Sequence, residues 1–160
     1  MELISVRELF RNTDAYAGKT VTVGGWVRNR RPSKQFGFIV LNDGTYFTPV
    51  QVVYNDSISN FQEISKINIG AALIVTGELV VTPNSKQPFE IQAATIEVEG
   101  PSTGDFPLQP KRHTMEFLRT IPHLRPRTNT FQAVFRVRSL LLWPSTSSSR
   151  SVTSSMSTLP

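Results

Sequence analysis

The feature that most constrains the fold is a series of five short segments in which apolar and polar residues alternate. Alternation with a period of two gives a strand one side that packs in a core and one side that faces solvent. A single weakly helical stretch, "ISNFQEISKI", stands between the third and fourth segments. In chain order the segments are "TVTVGGWVRNRR", "FGFIVLND", "YFTPVQVVY", "AALIVTGELVVT" and "PFEIQAATIEVEG".

Five short strands with one helix between the third and the fourth is the order of an oligonucleotide-binding (OB) fold, a Greek-key barrel. We therefore predict a mainly β fold, with a five-stranded barrel over about residues 19–99 in a domain that spans residues 1–100. An SH3-like barrel is the closest alternative, but it lacks the inserted helix. "VRELFRNTDAYAG" predicts a short N-terminal helix closed by Gly18, and Asn42-Asp43-Gly44 predicts a turn that joins strands two and three as a hairpin.

The composition changes after residue 100. "GPSTGDFPLQP" is rich in Pro and Gly and predicts a linker over residues 101–113. Two amphipathic helical stretches, "TMEFLRTI" and "TNTFQAVFRVRSLL", follow within residues 114–141. No strands in this chain remain for these helices to pack against, so we expect them to begin a second domain.

Composition also excludes several kinds of site. The chain has no Cys, which rules out disulfides and thiolate chemistry, and two His residues are too few for a His-based metal site. No glycine loop has the spacing that cradles phosphate. No run approaches the ~18 apolar residues of a membrane span, and the N-terminus is too charged for a secretory signal. The sequence predicts a cytoplasmic binding protein with no catalytic or metal-ligating residues of its own.

The distribution of charge is more informative than the net charge of +5. Residues 1–35 contain seven Lys or Arg and three acidic residues, and residues 109–142 contain seven and one. Residues 36–108 contain only two Lys or Arg and eight acidic residues. The pattern indicates two basic zones, "RNRRPSK" and the stretch from Lys111 to Arg138, on either side of a mildly acidic body.

The alternation also predicts which side chains face out of the barrel. Two outward aromatics beside an arginine-bearing strand would form a stacking platform next to a phosphate-attracting edge, and Gln51 and Glu90 would add groups that can read base edges. Each Phe could instead pack under the linker or the N-terminal helix, and Gln51 and Glu90 could be ordinary surface residues. The predicted inward residues are Val21, Val23, Val27, Ile39, Leu41, Ile91 and Ala93. The predicted outward residues are Trp26, Arg28, Arg30, Phe36, Phe38, Gln51, Glu90 and Gln92.

Several long segments resemble the N-terminal part of the bacterial-type asparaginyl-tRNA synthetases. The resemblance covers about residues 5–141, and "KRHTMEFLR" and "RPRTNTF" favour the asparaginyl branch over the aspartyl and lysyl branches. The segments that carry it are "VTVGGWVRNRRPSKQFGFIVLNDGT", "VQVVY", "PFEIQAATIEVEG" and "FPLQPKRHTMEFLRTIPHLRPRTNTFQAVFRVRSLL".

The resemblance implies an anticodon-binding barrel, a hinge and the start of a class II catalytic domain. The full-length family enzyme dimerises, activates asparagine with ATP and Mg²⁺, and attaches it to tRNA(Asn), whose anticodon stem-loop is the expected partner of the barrel. This chain lacks the arginines and the glycine-rich motif that hold ATP in the family. We therefore expect it to bind no cofactor and to be inactive alone.

The resemblance also implies roles for individual residues. A Phe on the second strand of the family stacks on the central anticodon uridine, and a Gln and a Glu on the third and fifth strands bond its edge. Those positions match Phe38, Gln51 and Glu90, and the Arg that closes the first-strand motif matches Arg31. With Arg28, which the alternation places outward, these residues form the expected tRNA-binding set. A freestanding single-strand binder that uses the same face without anticodon preference is the alternative.

The C-terminus departs from the family pattern. The last sixteen residues include eleven Ser or Thr and one charged residue, Arg150, and we expect residues 142–160 to be disordered. A reading frame shifted by one base can translate this region as "ALAIHKFFQERNFIYVHTP", which is the expected family continuation. We therefore interpret residues 142–160 as an out-of-frame segment, with a genuine Ser/Thr linker as the alternative. The coding DNA decides between them.

Overall fold

The structure is a computed structural model that describes residues 2–85 and 87–155, with side chains described as far as Leu142. The chain divides into two compact units between Arg112 and His113. The first unit contains α1 (Val6–Arg11), α2 (Thr13–Tyr16), β1 (Thr20–Pro32), β2 (Phe36–Asn42), β3 (Val50–Asn55), α3 (Phe61–Ile64), β4 (Ala72–Val81) and β5 (Phe89–Gly100). The second contains α4 (Met115–Thr120), a 3-10 turn (Arg125–Arg127) and α5 (Asn129–Ser155).

The five strands close into a barrel with the order β1-β2-β3-β5-β4. β1 is long enough to pair antiparallel with β4 through its first half and with β2 through its second half. β3 and β5 pair in parallel and complete the closure. With α3 between β3 and β4, this topology confirms the predicted OB fold.

The interior of the barrel is apolar, and its side chains are almost completely shielded from solvent. Each strand contributes alternate residues to it, as the period of two requires. Six of the seven predicted inward residues are buried, and the seventh, Ala93, is half-buried and packs against the core. The buried six are Val21, Val23, Val27, Ile39, Leu41 and Ile91.

Helix α1 is fixed to the barrel by the connection between β2 and β3. The Asp43 carboxylate accepts a hydrogen bond from the backbone N–H of Val6 at 2.8 Å, and Ser5 caps the same helix by accepting from the N–H of Glu8 at 3.2 Å. Val6 and Leu9 are fully buried, so the helix covers the core with its apolar side. Two backbone N–H groups of the first turn, which have no acceptor within the helix, thereby gain a hydrogen-bond partner.

The prediction of a tight hairpin between strands two and three is wrong, because the connection between them is longer than a turn. β3 begins at Val50, so the segment before it is a longer connection rather than the arm of a tight turn. The side chains of Asn42 and Asp43 accept hydrogen bonds from the backbone N–H groups of Gly44 and Thr45, both at 2.9 Å. These local bonds hold the chain in a turn and compete with strand pairing.

Part of the predicted linker packs on the barrel. The side-chain amide of Asn68 donates to the carbonyl of Ser102 at 2.8 Å. The ring of Phe106 lies against Gly70, whose φ of +88° and missing Cβ leave room for it. Composition alone marks residues 101–113 as a linker, whereas these contacts hold its first half to the first unit, which extends through Arg112.

The second unit is helical, as the apolar periodicity predicts. Thr114 caps α4 by accepting from the N–H of Phe117 at 3.3 Å. α5 continues to Ser155, so residues 142–155 are helical where the sequence predicts disorder. Helical hydrogen bonding needs only backbone groups and can extend through residues of weak propensity; residues 156–160 lie outside the described residues. No helix in residues 2–85 and 87–155 has the length and apolar character needed to cross a membrane.

Replacement of Asp43 tests the link between α1 and the barrel. Asp43→Ala removes the acceptor for the backbone of Val6 and for Thr45, so we expect the free energy of unfolding to fall by about 1–3 kcal/mol. Asp56→Ala is the matched control, because Asp56 is exposed and its backbone N–H bond to Gln35 remains. Denaturant unfolding followed by circular dichroism measures both; equal stability of the two variants would contradict the capping role.

Candidate nucleic-acid interface

Two rows of outward side chains cross the barrel where β2 and β3 lie side by side. The first, here called the aromatic row, runs across four strands through cross-strand partners. Its members are Arg31 on β1, Phe38 on β2, Val53 on β3 and Gln92 on β5. The second, here called the polar row, lies two residues further along β2. It contains Asn29 on β1, Val40 on β2 and Gln51 on β3, and Gln51 contacts Glu90 on β5.

β2 carries a pair of phenylalanines, Phe38 of the aromatic row and Phe36 two residues before it. The rings of Phe36 and Phe38 meet edge to face, with centroids 5.6 Å apart and planes at 86°. Phe36 is 46% exposed and Phe38 is half-buried, so neither ring is sealed in the core. Edge-to-face packing holds the Phe38 ring in one orientation, which is what a stacking surface for a flat ligand needs.

A glycine lets this aromatic pair lie close above the core. Gly37 separates the two phenylalanines and pairs across the sheet with Tyr54, which is 2% exposed. A Cβ on Gly37 would lie 2.7 Å from Cε1 of the Tyr54 ring. Burial raises the pKa of the Tyr54 hydroxyl, and the nearby Arg30 charge opposes that shift. The tyrosine thus fills the space beneath β2 as a neutral group.

The polar row ends in a direct contact between two sequence-predicted site residues. The Gln51 side-chain amide donates to the Glu90 carboxylate at 2.6 Å. Although 39 residues separate them in the chain, the parallel pairing of β3 with β5 brings them together. The bond leaves the second N–H of the amide and further carboxylate lone pairs available. A donor and an acceptor therefore lie side by side next to the aromatic row.

The arginines of β1 do not follow the predicted alternation. The ladder pairs Val27 with Leu41 and then Asn29 with Val40, which makes Arg28 an extra residue in a β-bulge. Arg28 is half-buried, and burial lowers the pKa of its guanidinium. Because a bulge inserts one residue, every later side chain of β1 changes face.

This change of face corrects the prediction for Arg30 and locates Arg31. Arg30 lies opposite the buried Ile39 and donates to the carbonyl of Ser65 at 2.7 Å, so it does not belong to the outward face. Arg31 lies opposite Phe38 and is exposed. The sequence does not mark the bulge, because "RNRR" contains no apolar residue that would reveal the phase.

The remaining predicted outward residues lie as follows. Trp26 is 40% exposed and pairs with Asn42 and Ala72, one step beyond the polar row. Gln92 is exposed at the β5 end of the aromatic row. Across the parts of the chain that the structure describes, no three His, Cys, Asp or Glu side chains come together as a metal site would require.

The fold and its outer face define the class of this protein. Residues 21–99 match the OB-fold nucleic acid binding domain family that includes tRNA anticodon-binding domains. The chain is 58% identical to the asparagine-tRNA ligase of Alkaliphilus oremlandii over 140 residues, which are 88% of this chain and 30% of that protein. It is likewise 58% identical to the asparagine-tRNA ligase of Acetivibrio thermocellus over 144 residues, 89% of this chain and 31% of that protein.

Solved structures agree on the fold. The asparaginyl-tRNA synthetase of Pyrococcus horikoshii complexed with asparaginyl-adenylate superposes with a TM-score of 0.76 at 23% identity, over 89% of this chain and 33% of that chain. The aspartyl-tRNA synthetase of Entamoeba histolytica gives 0.75 at 21% identity, over 94% and 38%. This chain belongs to the asparagine-tRNA ligase family and carries its anticodon-binding OB domain. It spans about 30% of the length of the relatives that it matches, and the comparisons do not favour a freestanding OB module.

Replacement of Gly37 tests the support beneath the aromatic pair. Gly37→Ala forces a methyl group into the Tyr54 ring, and overpacking of this kind costs about 1–3 kcal/mol of stability. Gly104→Ala is the control, because a Cβ at Gly104 would meet nothing within 4 Å. Thermal unfolding should separate the two variants. A Gly37→Ala protein as stable as the control would contradict the close approach of Tyr54 to β2.

Proposed function

We propose that this face of the barrel binds the anticodon stem-loop of tRNA(Asn) and identifies its central uridine. The observation that carries the proposal is the hydrogen bond between Gln51 and Glu90 beside the Phe38 ring. A flat hydrophobic surface next to a donor and an acceptor is suited to one splayed base. The similarity to asparagine-tRNA ligases supports a tRNA as the RNA that binds. The side chains of Phe38, Gln51 and Glu90 support the recognition of one base.

Stacking on Phe38 provides most of the affinity for the base. The ring is held edge to face by Phe36 and is half-buried, so little side-chain entropy is lost when a base covers it. An aromatic contact of this kind contributes about 1–3 kcal/mol per base. Every base has a flat face, so stacking gives affinity without choosing among bases.

The Gln51 and Glu90 pair supplies the choice of base. Uridine presents an N–H donor beside a carbonyl acceptor on its pairing edge. Glu90 can accept from the N–H, and the second N–H of the Gln51 amide can donate to the carbonyl. Cytidine presents an unprotonated ring nitrogen at the same place, which would face the carboxylate acceptor and leave it unpaired. Because Gln51 is bonded to Glu90, the two groups act at a fixed spacing.

Arginines at the β1 edge provide the charge that attracts the RNA backbone. Arg31 is exposed at the end of the aromatic row, and Arg28 lies in the bulge that sets its position. Phosphate contacts orient an RNA but carry no sequence information. We therefore expect these arginines to raise the affinity for all stem-loops alike and to make binding depend on salt.

The full-length relatives suggest a wider role for the protein to which this domain belongs. In that role the barrel delivers tRNA(Asn) to a dimeric catalytic domain that attaches asparagine with ATP and Mg²⁺. The chain spans about 30% of the length of those relatives, and we assign no catalytic step to its described residues.

Removal of the stacking ring should weaken binding to every stem-loop. For Phe38→Ala we expect the Kd for the tRNA(Asn) anticodon stem-loop to rise about 5- to 150-fold, the equivalent of one lost stack. Phe47→Ala is the control, since Phe47 is exposed but lies outside both rows. Fluorescence anisotropy at fixed salt measures both. Equal affinities of the two variants would exclude Phe38 as the stacking surface.

Neutralisation of Glu90 should relax the choice of base. For Glu90→Gln we expect the ratio of the Kd values for stem-loops with cytidine and uridine at the central position to fall about tenfold or more, because a charged acceptor is lost. Glu97→Gln is the control, because it removes the same charge from the same strand as Glu90→Gln. Glu97 lies opposite Ile74 on β4, away from Gln51. The proposal fails if both variants keep the ratio of the unmodified protein. Equal binding of both stem-loops by the unmodified protein would favour a generic single-strand binder.

A further inference from the structure

The connection between β4 and β5 makes a contact that the proposed recognition does not use. Gln87 lies in this connection, just before β5, and its side-chain Oε1 accepts a hydrogen bond from the backbone N–H of Gln51 at 3.1 Å. Three residues later, Glu90 accepts from the side-chain amide of the same Gln51 at 2.6 Å. The segment 87–90 therefore holds Gln51 at two points, one on the backbone and one on the side chain.

The backbone bond occupies a place that the sheet leaves open. Parallel pairing between β3 and β5 begins at Val52 and Ile91, so Gln51 precedes the first pair of that ladder. A partly buried backbone N–H at the end of a ladder needs an acceptor from a side chain or from water. The Gln87 side chain provides this acceptor, and Gln87 lies only three residues before Glu90 in the chain. The start of β3 is thereby fixed relative to the carboxylate with which Gln51 must act.

The connection is itself held in one conformation around Gln87. The Thr82 hydroxyl donates to the carbonyl of Gln87 at 2.9 Å, and the Thr82 N–H donates to the carbonyl of Pro88 at 2.9 Å. The ring of Pro88 restricts its own φ and the conformations open to Gln87 before it. Gln87 is half-buried in this setting. Its side chain therefore reaches Gln51 from an anchored backbone.

We infer that Gln87 is a positioning residue that sets base choice through the Gln51 and Glu90 pair. The inference rests on the proposed function and extends it to a residue that need not touch RNA. Without the Gln87 acceptor, the backbone at Gln51 can shift and its amide no longer lies at a fixed spacing from the carboxylate. Stacking on Phe38 does not depend on that spacing. Loss of Gln87 should therefore reduce discrimination between bases more than it reduces overall affinity.

A first experiment tests the contact without RNA. Gln87→Leu keeps the size of the side chain and removes the acceptor, whereas Gln87→Glu keeps an acceptor oxygen at the same position. We expect the backbone amide of Gln51 to exchange its hydrogen about three- to tenfold faster in Gln87→Leu and at the original rate in Gln87→Glu. Gln62→Leu, on the exposed side of α3, is the control. An unchanged rate in Gln87→Leu would overturn the inference.

A second experiment measures base choice in the same variants. We expect the ratio of Kd values for the cytidine and uridine stem-loops to fall about three- to tenfold in Gln87→Leu, and to be retained in Gln87→Glu and Gln62→Leu. If Gln87→Leu fails to fold, Gln87→Asn replaces it, because its shorter side chain cannot reach Gln51. A retained ratio in Gln87→Leu, with the ratio lost in Glu90→Gln, would overturn only the role of Gln87. Absence of discrimination in the unmodified protein would overturn the proposed function instead.

Discussion

The parallel pairing of β3 with β5 is the constraint on which the rest of the structure depends. It closes the barrel, and it also brings together two polar side chains that lie 39 residues apart in the chain. On either strand alone, Gln51 or Glu90 would be an ordinary half-buried polar residue. Joined by a 2.6 Å hydrogen bond beside an aromatic pair, they form a surface with a defined order of donor and acceptor.

Much of this arrangement could be predicted from the sequence. Where buried apolar residues alternate with polar ones along a strand, they show which side chains face the core and which face solvent. Ile39 and Leu41 fix the phase of β2 and send Phe38 outward, and Ile91 does the same for Glu90. The resemblance to a known family pointed to the same positions. Their joint use in binding stays a prediction.

Two predictions about the barrel failed, one where no apolar residue marks the alternation and one where side chains bond to the backbone. The bulge at Arg28 reverses the faces of the following arginines, and nothing in "RNRR" reveals it. The turn bonds of Asn42 and Asp43 delay the start of β3, although their residue types alone also suit a tight hairpin. The contact of Gln87 with Gln51 is long-range and involves a loop, so no local pattern predicts it.

We propose that RNA binds this protein on the two rows that cross β1, β2, β3 and β5. The most direct test is to titrate the isotope-labelled chain with the tRNA(Asn) anticodon stem-loop and to follow backbone and side-chain amide signals by NMR. We expect the largest shifts at Gln51, including its side-chain amide, and at the neighbours of Phe38 and Glu90. Shifts concentrated instead on α3 and the outer side of β4, with Gln51 unmoved, would contradict the proposal.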